Sequence, residues 1–229
     1  MKVFSRCFVL TILLTFFSST SFAIQVTYNW EGVINGIDTR NGNLPFEAPF
    51  NPSFGEIVYG TISFNPELSG TFRSATHQLY SVTTSYTIDG FTFNQTETNP
   101  FTNYASVFNN DVSLNDGVTG YDQFQTGFTL IDFKPGYDIH GGIILRDSSA
   151  TAFTSTALPR NLDNLSFDLT NWALWIHGAG GSELTAPSIE VYGSITNISL
   201  VPEPETYSML LTGLGVLGFM ARRRKNTQA

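Results

Sequence analysis

Across the middle of this chain apolar residues recur at every second position, and no stretch carries a helical stripe. Ile24, Val26, Tyr28 and Trp30 alternate with Gln25, Thr27 and Asn29. Tyr80, Val82, Thr84, Tyr86 and Ile88 alternate with Ser81, Thr83, Ser85 and Thr87. Leu165, Phe167 and Leu169, then Ile189, Val191 and Ile195, repeat the pattern. A period of two puts each set on one face of a strand. Further strands are expected near 56–64, 104–108, 124–133, 142–146 and 172–177, and Asp89-Gly90 is a two-residue hairpin signal. About ten short strands separated by Gly, Asn and Pro turns predict an all-β domain: an antiparallel two-sheet sandwich of jelly-roll or lectin-like type. The chain's 20 phenylalanines, 14 of them in residues 24–200, suffice to fill the core of such a domain. The main expected loops are 38–55 and 177–187.

The two ends break the pattern. The chain starts MKVFSRCFVLTILLTFFSSTSFA. Lys2 and Arg6 form a basic n-region, residues 8–17 an apolar h-region, and Ser21 and Ala23 occupy the small-residue positions before a cut. This is the layout of a secretory signal peptide cleaved after Ala23, and the run is short for a bilayer span. The single cysteine, Cys7, lies in that leader. The exported part therefore has no disulfide, no thiolate metal site and no cysteine nucleophile, and core burial alone must hold it together.

At the other end, Pro202, Glu203 and Pro204 precede an uncharged stretch, about 206–221, and then Arg222, Arg223, Arg224 and Lys225. As a helix that stretch spans about 24 Å, enough to cross a membrane with Tyr207 and the arginines in the interfaces. The basic cluster is expected to stay cytoplasmic as a stop-transfer tail. The prolines keep residues 201–205 extended, which suits a segment that a processing enzyme binds. This order of features resembles a PEP-CTERM sorting signal, and Pro202, Glu203 and Pro204 match the motif residue for residue. The resemblance covers the last 29 residues or so. It implies recognition by exosortase, a membrane-embedded processing enzyme of Gram-negative bacteria, with cleavage near the motif and release or transfer to the cell surface. Bacteria that use it often make extracellular polysaccharide or a biofilm matrix. The domain organisation that follows is a signal peptide (1–23), a β-sandwich ectodomain (24–200) and a sorting signal (201–229). More weakly, residues 60–65 (GTISFN), Leu158-Pro159 and the last strand, 192–196 (YGSIT), are similar to other PEP-CTERM ectodomains, which implies a shared β-sandwich and no activity.

Of the 11 basic residues, two sit in the leader and four in the tail, leaving five; of the 19 acidic ones, two sit in the tail, leaving seventeen. The ectodomain thus carries a net charge near −12, which argues against nucleic acid as a partner. Asp111, Asn115, Asp116 and Asp122 gather hard oxygen ligands in one segment, a candidate calcium site. Their spacing departs from an EF-hand, and turn duty accounts for them equally. Trp172 and Trp175 are candidates for stacking on sugar rings, with core packing as the alternative fate. His77, His140 and His177 show no metal spacing, and no Gly-x-Ser-x-Gly, His-Glu-x-x-His or phosphate loop is present.

The expectation is therefore an exported, non-enzymatic cell-surface or extracellular-matrix protein. The secretion machinery would carry it across the inner membrane, its C-terminal helix would anchor it transiently, and exosortase would release it. A carbohydrate-binding, lectin-like module, calcium-assisted, is the alternative, with extracellular polysaccharide as the partner. A glycan-active enzyme would need two carboxylates facing across a cleft. No cofactor other than calcium is expected.

Overall fold

The computed structural model describes residues 25–95, 102–112, 120–178, 185–202, 210–215 and 217. Eleven strands run in chain order: β1 (Val26–Arg40), β2 (Ile57–Phe64), β3 (Thr71–Ser74), β4 (His77–Ser81), β5 (Thr83–Ile88), β6 (Phe91–Gln95), β7 (Asn103–Asp111), β8 (Tyr121–Lys134), β9 (Tyr137–Asp147), β10 (Leu169–Gly178) and β11 (Ser188–Val201). All pairings are antiparallel. Residues 210–215 and 217 are helical with Leu210, Leu211, Leu214 and Leu217 exposed. Among the described residues no helix is long and apolar enough to cross a membrane; the remainder of the expected 206–221 span lies outside them.

In place of the expected pair of sheets there is one, ordered β3-β4-β7-β8-β9-β10-β11-β1-β2-β5-β6. It curls into a half-barrel. The reason is legible at Val82. Strand β4 is second in the order and β5 tenth, yet only this residue separates them in the chain. A one-residue connection bridges these two strands only if their ends lie close together, so the sheet must curl far enough to bring β4 and β5 near each other. A strand that bends from one layer into the next makes such a corner. Buried Asn103 seals the seam: its amide nitrogen donates to the Val82 carbonyl, and its side-chain oxygen accepts from Thr84 Oγ1 at 3.1 Å. Register shifts at Glu31/Gly32 and Ile34/Gly36 let the 15-residue β1 bend with the sheet.

The inward set of the alternation fills the hollow. Trp30 sits edge-on to Tyr86 (5.2 Å) and tilted against Trp172 (6.3 Å), Tyr86 meets Phe128 (4.6 Å), and Phe64 meets Phe124 (6.0 Å). The last two contacts join β5 and β2 to β8, strands far apart in the sheet order, and so hold the curl closed. The hairpin at Asp89-Gly90 forms as expected, with Ile88 opposite Phe91 and positive φ at both turn residues (47° and 72°), the signature of a type I′ turn. The alternation at 164–169 is not a strand up to residue 168. Leu162–Asn164 form a 3-10 turn, and Leu165 and Phe167 pack on the core from a loop. Tyr28 Oη fixes this turn, donating to the Arg160 carbonyl and accepting from the Leu162 amide.

Asp147 and Asp122 lie opposite each other at that end of the sheet, and both hold the loop after β9. Asp147 accepts from Ser149 and Thr151, through amide and hydroxyl of each, and from the Ala152 amide. Asp122 Oδ2 accepts from the Phe153 amide at 2.6 Å, seating the ring against Phe167. Burial pushes the Asp147 carboxyl up, but the loop donors outweigh it and hold it well below the usual carboxylate range. Asp147→Ala is therefore expected to cost about 1–3 kcal/mol. A lowered folded pKa contributes stability that is full above the unfolded value, about 4, and is lost as pH falls toward the folded one. Urea titrations should show the gap between wild type and variant constant at neutral pH and narrowing below about pH 4; a gap unchanged in acid would contradict this role.

Candidate functional site

The outward set of the alternation builds a groove across five central strands. One cross-strand row runs Tyr104 (β7), Gly127 (β8), Gly142 (β9), Ala173 (β10), Tyr192 (β11) and Gly36 (β1), each registered opposite the next. Neighbouring strands are about 4.8 Å apart, so the two tyrosines root about 19 Å apart with three small residues between them. The rings lie down on glycines. A Cβ at Gly127 would stand 2.5 Å from Tyr104 Cζ, and one at Gly36 would stand 2.3 Å from Tyr192 Cζ. Any side chain at either position would lift the tyrosine off the sheet. Gly142 and Ala173 form the floor between them.

The flanking rows give the groove its polar margins. On one side stand Thr129, His140, Trp175 and Glu190, again in register. Thr129 Oγ1 and His140 Nδ1 are 3.0 Å apart. The His140 ring is stacked parallel between Trp175 (6.0 Å, 9°) and His177 (4.3 Å, 22°), which fixes the indole face. On the other side are Gln125, Ile144 and Asn171, with Asn35 Nδ2 donating to Ser194 Oγ at 2.6 Å. The groove encloses about 530 Å³, within the range of small-ligand sites, about 300–1,000 Å³. Among the described residues lining it, the one charged side chain is Glu190, and Arg40 bonds it at 3.2 Å.

The structure separates the two tryptophans that the sequence set side by side. Trp172 is 2% exposed and packs on Trp30, so it presents no face to a sugar. Trp175 is half-buried on the outer surface. Residues three apart in a strand point to opposite faces, so the pair never shared one. The acidic segment is also divided. Asp111 accepts from Thr76 Oγ1 (2.6 Å), and Asp122 Oδ1 accepts from the Asn110 amide (2.8 Å); both are buried acceptors that hold loops. Asn115 and Asp116 lie outside the described residues, as do Ala23, Glu203, Pro204 and Arg222, Arg223, Arg224 and Lys225. Among the described residues no group of three or more His, Cys, Asp or Glu is placed to hold a metal ion. Tyr104 and Tyr192 were not singled out from sequence. The signal was there in part, since each faces a glycine, but only the register reveals it.

The last strand leads to the C-terminal segment. Val201 is the final residue of β11 and lies opposite Thr27 of β1. Pro202 follows it, and with no N–H it cannot extend the ladder. Hydrogen bonding to the sheet thus stops where the Pro-Glu-Pro triplet starts. Residues 200–225 are a PEP-CTERM protein-sorting motif. The PEP-CTERM motif implies export, a membrane-anchored sorting signal and processing by exosortase on the way to the cell surface. Comparison with curated proteins and with solved structures finds no match.

Proposed function

We propose that this is a non-enzymatic surface protein, exported with a cleaved leader, held briefly by its C-terminal segment and freed by exosortase near Pro202–Pro204. The observation that carries this reading is the junction at Val201 and Pro202. The Pro-Glu-Pro triplet begins at the first residue after the last strand, so a processing enzyme can reach it without unfolding the domain. The membrane segment is the apolar run at 206–221, with the basic tail inside the cell. The released domain then joins the extracellular polymer. Intact mass of the protein from culture supernatant and from membranes, in cells with and without the enzyme, tests it. The expected released form starts at Ile24 and ends near Pro202–Glu205, and it disappears without the enzyme. One membrane-bound form carrying residues 222–225 in both strains would refute it.

Once displayed, the domain acts as a carbohydrate-binding module. Trp175 on the outer face, held by His140 and flanked by amide and hydroxyl groups, favours this reading. Glycoside hydrolysis uses a facing carboxylate pair, whereas the described lining offers Glu190 alone, which supports binding over cleavage.

A further inference from the structure

We propose that the row Tyr104–Gly127–Gly142–Ala173–Tyr192 is the seat of an uncharged, linear glycan lying across the strands, with Trp175 as its third aromatic contact. The proposal rests on the carbohydrate-binding reading and adds its location, its direction and the ligand class. Pyranose rings carry an apolar C–H face and an edge of hydroxyls. The groove is built with the same division. Tyr104 lies flat on Gly127, Tyr192 lies flat on Gly36, and Tyr192 keeps 45% of its surface in solvent. Exposed aromatic faces of this kind, with polar tips, are what a ligand with one apolar side can cover. Gln125, Asn171 and Thr129 stand beside them as partners for hydroxyls.

Charge selects among hydroxyl-rich polymers. No lysine or arginine lines the groove among the described residues, and the surrounding domain is near −12. A polyanion gains no counter-charge here and meets a repulsive field. Glu190 is already bonded to Arg40, so a polycation finds little specific hold. An extended peptide is also poorly served. Strands β8 to β11 each have both edges paired within the sheet, which leaves no backbone edge for strand addition. A stretch about 19 Å long across the strands, with aromatics at its ends, suits a chain of several sugars laid from β7 to β11.

The chain contains three tryptophans, and Trp30 and Trp172 are each 2% exposed. Acrylamide-quenchable emission therefore reports on Trp175. The experiment uses the full-length protein in lauryldimethylamine oxide micelles, whose headgroup carries no sugar. Probes are the neutral hexasaccharides cellohexaose, laminarihexaose and N-acetylchitohexaose, with hexagalacturonate and chitosan hexamer as charged counterparts. The expected result is that a neutral hexasaccharide protects Trp175, and that Tyr192→Ala and Ala173→Gln each weaken it by at least about tenfold. Both substitutions face outward, and unchanged thermal unfolding shows that the fold survives them. Neutral binding that neither variant weakens would overturn this site while leaving the carbohydrate reading in place. Binding by a charged hexamer alone would overturn the ligand class. Binding by none of the five would overturn both.

Discussion

Protein in which Pro202, Glu203 and Pro204 are all replaced by alanine is expected to stay in the membrane fraction with residues 222–225 still attached. The loss of the released form should be near complete. Two effects act together. Pro202 has no N–H with which to carry the ladder past Val201, and a proline disfavours helix at the residue before it; alanines would allow β11, or the apolar run that follows, to extend through the site. Glu203 lies between them, within the matched sorting motif. The leader and the ectodomain are untouched, so export should proceed normally, and far-UV circular dichroism of the retained protein should match wild type. Wild-type release from the triple variant would mean that the segment is a plain anchor cut elsewhere.

Trp30→Ala is expected to be the most damaging single substitution in the domain, costing about 3–5 kcal/mol. That is a large share of the roughly 5–15 kcal/mol by which a domain of this kind is stable. Trp30 is 2% exposed and touches both Tyr86 of β5 and Trp172 of β10. Its loss opens a cavity in the aromatic cluster inside the curl, next to the Tyr86–Phe128 contact that crosses it, and with no cysteine in residues 24–201 nothing covalent compensates. Trp175→Ala removes a side chain of the same size from the outer face and should cost under about 1 kcal/mol. Urea denaturation followed by circular dichroism distinguishes them. Equal costs would mean that the inward aromatic cluster does not hold the curl.

The contrast between those two tryptophans shows how far sequence alone reaches here. Alternation separates inward from outward residues because a strand's side chains alternate strictly, and it assigned Tyr28, Trp30, Tyr86 and Ile88 to the buried face where the structure places them. It stopped short where burial has another origin: Leu165 and Phe167 alternate in a loop that covers the core. Asp122 reads in sequence as a candidate calcium ligand, yet with Asp147 it is an acceptor for the loop that carries Phe153. The donors to Asp147 are local, two to five residues on, but those to Asp122 come from amides 12 and 31 residues away, and these have no sequence signature.

The sequence by itself determined the all-β character, the Asp89-Gly90 hairpin and the sorting motif. Each is local: a period, a turn dipeptide, an ordered run of residues. The tertiary structure decided that eleven strands make one curled sheet, and that Tyr104, Gly127, Gly142, Ala173 and Tyr192 stand in one row. Those follow from strand order and register across residues up to 88 apart in the chain. Register is fixed by the collective fit of a packed core, and no single stretch of sequence contains it.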